Sequence, residues 1–273
     1  MLDAPARTVL AAFGCTESAV RLAGGQGATW RSGNIVLKPM FDAEGAIWEA
    51  ETLTSLPKSG YRIAEPIRAE DGRWTCERWT ASRFVEGFSP KGTGLAERLA
   101  AARALHADLE DRRRPSHFDC ATDPWDLADR IAFGLAEWMP DFRIAKCLER
   151  FRRLQAPIGP EWQIIHGDLS GNFLLLDGYA PAIIDFTPKW SPRGFGEAVF
   201  AIDVCLWENV PWEAMVFLLS EGESRLLPLA AARRLLEVDT RHRMLHLPDD
   251  VFSQVAAYET LAVKLETLTY DAQ

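Results

Sequence analysis

Between residues 164 and 186 the chain reads IIHGDLSGNFLLLDGYAPAIIDF. Ile164-Ile165, Phe173 to Leu176 and Ala182 to Ile184 are apolar runs of strand length, separated by turn formers. Asp177-Gly178 predicts a hairpin turn between the second and third runs. Two strand ends would then present Asp168, Asn172 and Asp185 close together. Oxygen-bearing side chains so placed suit a hard cation such as Mg²⁺, which takes one or two protein carboxylates and leaves room for substrate phosphates. A spare carboxylate, Asp168, would orient a hydroxyl and accept its proton, and a positioned base contributes typically ~10²–10⁴-fold. His166 reads as structural, bonding nearby backbone. By itself the stretch admits either a polar turn between strands or a catalytic loop.

The flanking sequence divides in character. Val20 to Leu22 and Ile35 to Lys38 read as strands, with glycines between them and Ser32-Gly33-Asn34 as a second turn signal. A helix is expected from Glu44 to Leu56. Glu65 to Ala69 and Trp74 to Trp79 flank Asp71-Gly72, a hairpin signal. Arg83-Phe84-Val85 forms a short strand ending at Gly87. Beyond it Leu95, Leu99, Ala102, His106 and Leu109 recur at helical steps on one apolar face. A second helix is expected from Pro124 towards Trp138, capped by Asp123. Val251, Val255, Tyr258, Ala262 and Leu265 mark an amphipathic helix near the end. The expected organisation is a β-rich part with one helix, residues 1–86, then a larger helical part, residues 87–273. The hinge near Ser82–Gly87 lacks linker composition, so two lobes sharing a cleft are expected rather than independent domains.

Several function classes are excluded by composition. A net charge of −9 argues against binding nucleic acid through phosphate neutralisation. Five scattered cysteines, none in CxxC or at zinc-ligand spacing, suggest reduced thiols and a cytoplasmic protein. No leader pattern and no long apolar window appear, so no membrane association is expected.

Two further constellations bear on chemistry. GGQGATW, residues 24–30, contains Gly24, Gly25 and Gly27. Such a loop lets backbone N–H groups approach a phosphate, because no Cβ intervenes. It is neither a Walker loop nor a dinucleotide fingerprint: no Lys-Ser/Thr follows the last Gly, and Trp30 and a strand follow instead of a helix. A hairpin tip over a nucleotide and a plain glycine turn both remain open. Lys38 ends an apolar strand and is either solvated or aimed inward, where a buried cation needs a partner. On the following helix, Glu49 shares a face with Leu53 and Leu56, whereas Glu51 points about 200° around from it. Glu49 is therefore the expected partner of Lys38, with two unrelated surface charges as the alternative.

In order, glycine hairpin, strand lysine, helix glutamate, hinge, HGDLSGN and IIDF resemble the protein-kinase-like fold. The resemblance is closer to its aminoglycoside phosphotransferase branch, which carries Gly after the His. It spans roughly residues 20–205. GGQG…W, HGDLSGN and DFTPKWSP also resemble a subgroup of actinobacterial phosphotransferase-like proteins. The resemblance implies an α+β, bilobal fold: a small antiparallel β-sheet N-lobe plus one helix, and a larger, mostly helical C-lobe. It further implies Asp168 as catalytic carboxylate and Asn172 and Asp185 as Mg²⁺ ligands. Lys38 would contact the ATP phosphates, held by Glu49, and backbone near Arg83 and Val85 would meet adenine. Asp203 would brace the catalytic loop. There are departures. Four steps separate Asp168 from Asn172 where the family has five, and FTPKWSPRGFGE after Asp185 lacks the usual glycine and any protein-kinase activation loop.

The expected function is thus ATP- and Mg²⁺-dependent phosphoryl transfer, with GTP as an alternative donor. The acceptor would be a hydroxyl of a small molecule such as an antibiotic, sugar, amino alcohol or nucleoside. The alternative is a kinase-like nucleotide-binding module with weak or no catalysis. His106 reads as a satisfied core histidine. Trp125, Trp138, Trp190, Trp207 and Trp212 are core residues or stacking surfaces for an acceptor. Asp123, Asp126, Glu208 and Glu213 are solvated helix faces or a lure for a cationic acceptor.

Overall fold

The computed structural model describes residues 4–22, 28–120 and 123–270. Along the first ninety residues lie α1 (Arg7–Ala12), β1 (Val20–Arg21), β2 (Trp30–Ser32), β3 (Ile35–Pro39), α2 (Ala43–Ser55), β4 (Arg62–Ile63), β5 (Pro66–Ile67), β6 (Thr75–Cys76) and β7 (Trp79–Arg83). Next come α3 (Leu95–Leu109), α4 (Pro124–Ala132), α5 (Phe142–Leu154), β8 (Trp162–His166), β9 (Phe173–Leu174), β10 (Ala182–Ile183) and β11 (Pro188–Pro192). The last are α6 (Phe195–Trp207), α7 (Trp212–Val216), α8 (Glu221–Arg225), α9 (Leu227–Met244) and α10 (Val255–Tyr270). The chain divides into two compact units, Met1–Pro90 with Asn172–Phe186, and Lys91–Gly171 with Thr187–Gln273. Residues 172–186, which sequence order puts in the C-terminal part, therefore pack with the first unit.

In the first unit an antiparallel sheet runs β1-β2-β3-β7-β5, with β6 also on β7. Val9 and Phe13 from α1 and its end cluster with Leu37, Trp79 and Ala81 of the sheet. The turn at Asp71-Gly72 forms, with the Ala69 N–H donating to the Arg73 carbonyl at 2.8 Å. The hairpin expected around it does not form, because β5 and β6 each pair with β7 instead. The two-residue connection lies at Glu77-Arg78, where Glu77 adopts φ 53° without a Gly, Asn or Asp to signal it. A second sheet joins β4 parallel to β10 and β10 antiparallel to β9. The turn at Asp177-Gly178 is present, with Gly178 at φ 79°.

The second unit pairs β8 with β11 antiparallel and packs α4, α5, α6, α8 and α10 against α9. Every residue of α9 from Leu227 to Thr240 is buried, including Arg233, Arg234, Glu237 and Asp239. Asp123 caps α4 by accepting the Asp126 N–H, with Pro124 at the first helical position. The helix stops at Ala132, short of the expected Trp138, because Gly134 turns to φ 72°. In α10 Val255, Tyr258, Ala262 and Leu265 are buried as the apolar spacing requires.

Candidate active site

In the first unit, strand alternation sends Leu37 into the core and leaves the Lys38 side chain half exposed. The Lys38 ammonium pairs with the Asp185 carboxylate. Glu49, the partner expected from sequence, stands near enough to feel both charges. Burial pushes its carboxyl up to about 7, Lys38 pulls it down, and Asp185 adds to the rise. Asp185 follows β10 at φ 56°, an uncommon conformation that Asp tolerates better than most residues. Across the hairpin the Asn172 carbonyl accepts the Ile184 N–H at 3.0 Å, so Asn172 lies beside the strand end that carries Asp185. Asp185 and Asn172 offer a carboxylate and an amide oxygen. Among the described residues no three His, Cys, Asp or Glu side chains converge as a metal-binding group. A small oxygen donor set of this kind fits Mg²⁺ shared with phosphate, not a closed zinc or iron site.

Arg83 ends β7 with its N–H on the Glu65 carbonyl, and the Phe84 N–H binds the Asn34 carbonyl. Val85, one residue on, is partly buried. Gly87 is sterically required at φ 151°, since a Cβ there would meet the Leu175 carbonyl oxygen at 2.8 Å. Gly24, Gly25 and Gly27 lie outside the described residues.

In the second unit residues 166–171 are tied at both ends. His166 is fully buried at the end of β8, and its N–H donates to His106 Nε2 at 3.0 Å. His106 Nδ1 meets Glu197 Oε1 at 2.7 Å. The ring therefore accepts through Nε2 and donates through Nδ1. Burial raises the Glu197 carboxyl, but His106, a backbone hydrogen bond and Arg103 together hold the group below its ordinary range. His166 Nδ1 accepts the Asp168 N–H at 3.2 Å, the backbone-bonding role read from sequence. Gly167 has no room for a side chain, because a Cβ would lie 2.5 Å from Lys189 Cγ. At the other end Ser170 Oγ donates to Glu208 Oε1 at 3.0 Å. Glu208 also takes the Gly92 N–H and both Nη atoms of buried Arg98, at 2.7 to 2.8 Å. Gly171 adopts φ 79°, a left-handed conformation that glycine takes without strain.

Asp168 lies between these anchors, its side chain 49% exposed. Arg234 Nη2 donates to Asp168 Oδ1 at 2.9 Å. Arg234 also forks onto Asp203 through Nε and Nη2 and reaches Glu237 Oε2 through Nη1 at 2.8 Å. Burial works against the charge on Arg234, but Asp203, Glu237 and Asp168 together hold it well above the ordinary range, so it stays cationic. Asp203 thus connects to the loop through Arg234. Arg234, Glu197, Arg98 and Glu237 were missed by sequence reasoning. Their signal was weak, because each lies in a helix with other charged residues and the partners of Arg98, Glu197 and Arg234 are distant in sequence.

The remaining candidates fall into place around this frame. Asp126 pairs with Lys189, Asp123 is spent as a helix cap, and Glu208 is consumed by Arg98. Trp212 is core, and Trp138 Nε1 donates to Asp239 at 2.9 Å. Trp207 is 51% exposed, its ring centroid 5.3 Å from Arg234 Cζ.

No family model and no curated protein matches the chain. Solved structures do. A spectinomycin phosphotransferase, APH(9)-Ia, determined with ADP and spectinomycin, superposes with a TM-score of 0.60 at 14% identity, covering 95% of this chain and 96% of that one. The chain has the fold of the aminoglycoside phosphotransferases. A microcompartment-associated aminopropanol kinase gives 0.62 at 16% identity, covering 92% and 93%. A choline/ethanolamine kinase family protein from Mesorhizobium loti gives 0.58 at 15%, covering 92% and 89%. Among the described residues, no helix is long and apolar enough to cross a membrane.

Proposed function

We propose that the protein transfers the γ-phosphoryl group of ATP to a hydroxyl of a small molecule. The observation that carries the reading is the meeting of Lys38 with Asp185, beside Glu49 and across the β9–β10 hairpin from Asn172. A lysine and a metal-binding carboxylate in contact are the pair needed to receive a phosphate and its cation together. In this reading Asp185 and Asn172 hold Mg²⁺, which when bound would neutralise charge on the phosphates during transfer. Lys38 takes the phosphate oxygens, and backbone near Arg83 and Val85, with the loop bearing Gly24, Gly25 and Gly27, holds the rest of the nucleotide. Asp168, half exposed on an anchored loop, orients the acceptor hydroxyl and accepts its proton. Positioning and electrostatic stabilisation supply most of phosphoryl-transfer catalysis, so these parts suffice in kind.

The similar structures include proteins named for spectinomycin, aminopropanol, choline and ethanolamine, which supports a hydroxyl-bearing amine as acceptor. The test is a panel of such amines, sugars and nucleosides with Mg·ATP and Mg·GTP, scored by phosphate transfer. Asp168→Ala should fold and lose at least ~10²-fold in turnover. Unchanged turnover would remove Asp168 from the chemistry. Asp185→Ala should abolish Mg²⁺-dependent ATP binding in calorimetry, and intact binding would refute the metal role. Nucleotide binding with no transfer to any acceptor would leave a binding module in place of an enzyme.

A further inference from the structure

We infer that Arg234 is a positioning residue for Asp168, fixing its carboxylate from the buried core. The inference rests on the proposed role of Asp168 as the base. The other anchors of this loop act on backbone or on neighbours: His106 takes the His166 N–H, His166 takes the Asp168 N–H, and Glu208 takes Ser170. Arg234 reaches the Asp168 carboxylate itself, at Oδ1.

The donor accounting makes this link specific. A guanidinium carries five N–H groups in one plane. In Arg234 the Nε hydrogen goes to Asp203 Oδ1, and the two Nη2 hydrogens go to Asp203 Oδ2 and Asp168 Oδ1. The fork on Asp203 therefore sets the plane, and the last Nη2 hydrogen dictates where Asp168 Oδ1 sits. The anchor is rigid: Asp203 is fully buried, Arg234 is nearly so, and both sit on buried helices packed together. A half-exposed carboxylate is thus tied to a fixed point in the core.

Lysine keeps the charge but has no planar fork, so Arg234→Lys separates geometry from charge. Two measurements are made: the crystal structure of Arg234→Lys, and Mg·ATP turnover with water as acceptor, in wild-type and Asp168→Ala backgrounds. The Asp168 carboxylate should leave its wild-type position while Asp203 and α9 stay in place. Turnover should fall about 10–100-fold, as expected for a misplaced catalytic group, with the KM for ATP within a few-fold of wild type. In the Asp168→Ala background the substitution should add no further loss. An unmoved carboxylate, or an equal loss in that background, overturns the positioning role. Full turnover in Asp168→Ala would instead overturn the base reading. If Arg234→Lys fails to fold, the paired replacement Arg234→Met with Asp203→Leu removes both buried charges together, a change often neutral for stability. It should show the same loss of turnover, and wild-type turnover there refutes the inference.

Discussion

Two glycines at the same helical position should respond to alanine with opposite signs. Gly196 and Gly222 are each the second residue of a helix, α6 and α8. Alanine is the better helix former by up to about 1 kcal/mol, so propensity alone favours both substitutions. At Gly222 an added Cβ meets nothing within 4 Å, and the gain should appear undiminished. At Gly196 the Cβ would lie 2.6 Å from His106 Cε1 and 3.1 Å from the His166 carbonyl oxygen. His106 has no room to yield, since Glu197 holds one ring nitrogen and the His166 N–H the other. Overpacking costs about 1–3 kcal/mol. Displacing His106 would also strand the buried His166 N–H, at about 1–3 kcal/mol. The balance is a net loss of about 3 kcal/mol, which for a chain of this size lowers Tm by roughly 6–12 °C. Differential scanning calorimetry of both variants makes the test. A Gly196→Ala melting point equal to or above wild type would mean that His106 is not locked between Glu197 and the His166 N–H.

Two other predictions follow from the charged network. Glu49 binds its proton more tightly in the fold, with its carboxyl raised from an ordinary 4.5 to about 7. Its favourable contribution is complete below about 4.5 and is lost as pH rises to about 7. The Tm difference between Glu49→Gln and wild type should therefore shift towards the variant across that window, and parallel Tm-versus-pH curves would refute the assignment. Glu208→Gln strands the Arg98 guanidinium, whose side chain is 1% exposed. Breaking one side of such a pair costs about 3–5 kcal/mol, and urea unfolding that shows under 1 kcal/mol would contradict the described contact.

The parts of the site that were legible in sequence are those whose neighbours are local. Alternation placed Lys38 at a strand end, the Asp177-Gly178 turn brought Asn172 alongside Asp185, and helical spacing buried His106. What could not be read depends on long-range pairing. Nothing near Lys38 states that Asp185, rather than Glu49, will take its charge. The hairpin at Glu77-Arg78 was hidden because its left-handed residue is a glutamate, and the Asp71-Gly72 turn drew the signal instead. Arg234 was invisible for a related reason: its partners Asp168 and Asp203 are 66 and 31 residues away.

The return of residues 172–186 to the first unit has a consequence for dissection. The polypeptide passes between units at Pro90, at Gly171 and again at Phe186. A fragment ending at Pro90 would carry β4 without β10, the strand it pairs with, and Phe88 without its bridge to Leu175. Neither unit is a contiguous gene segment. A working split would have to keep the short ribbon as an insert, and it is on that ribbon, spliced between two crossings, that Asn172 and Asp185 are carried.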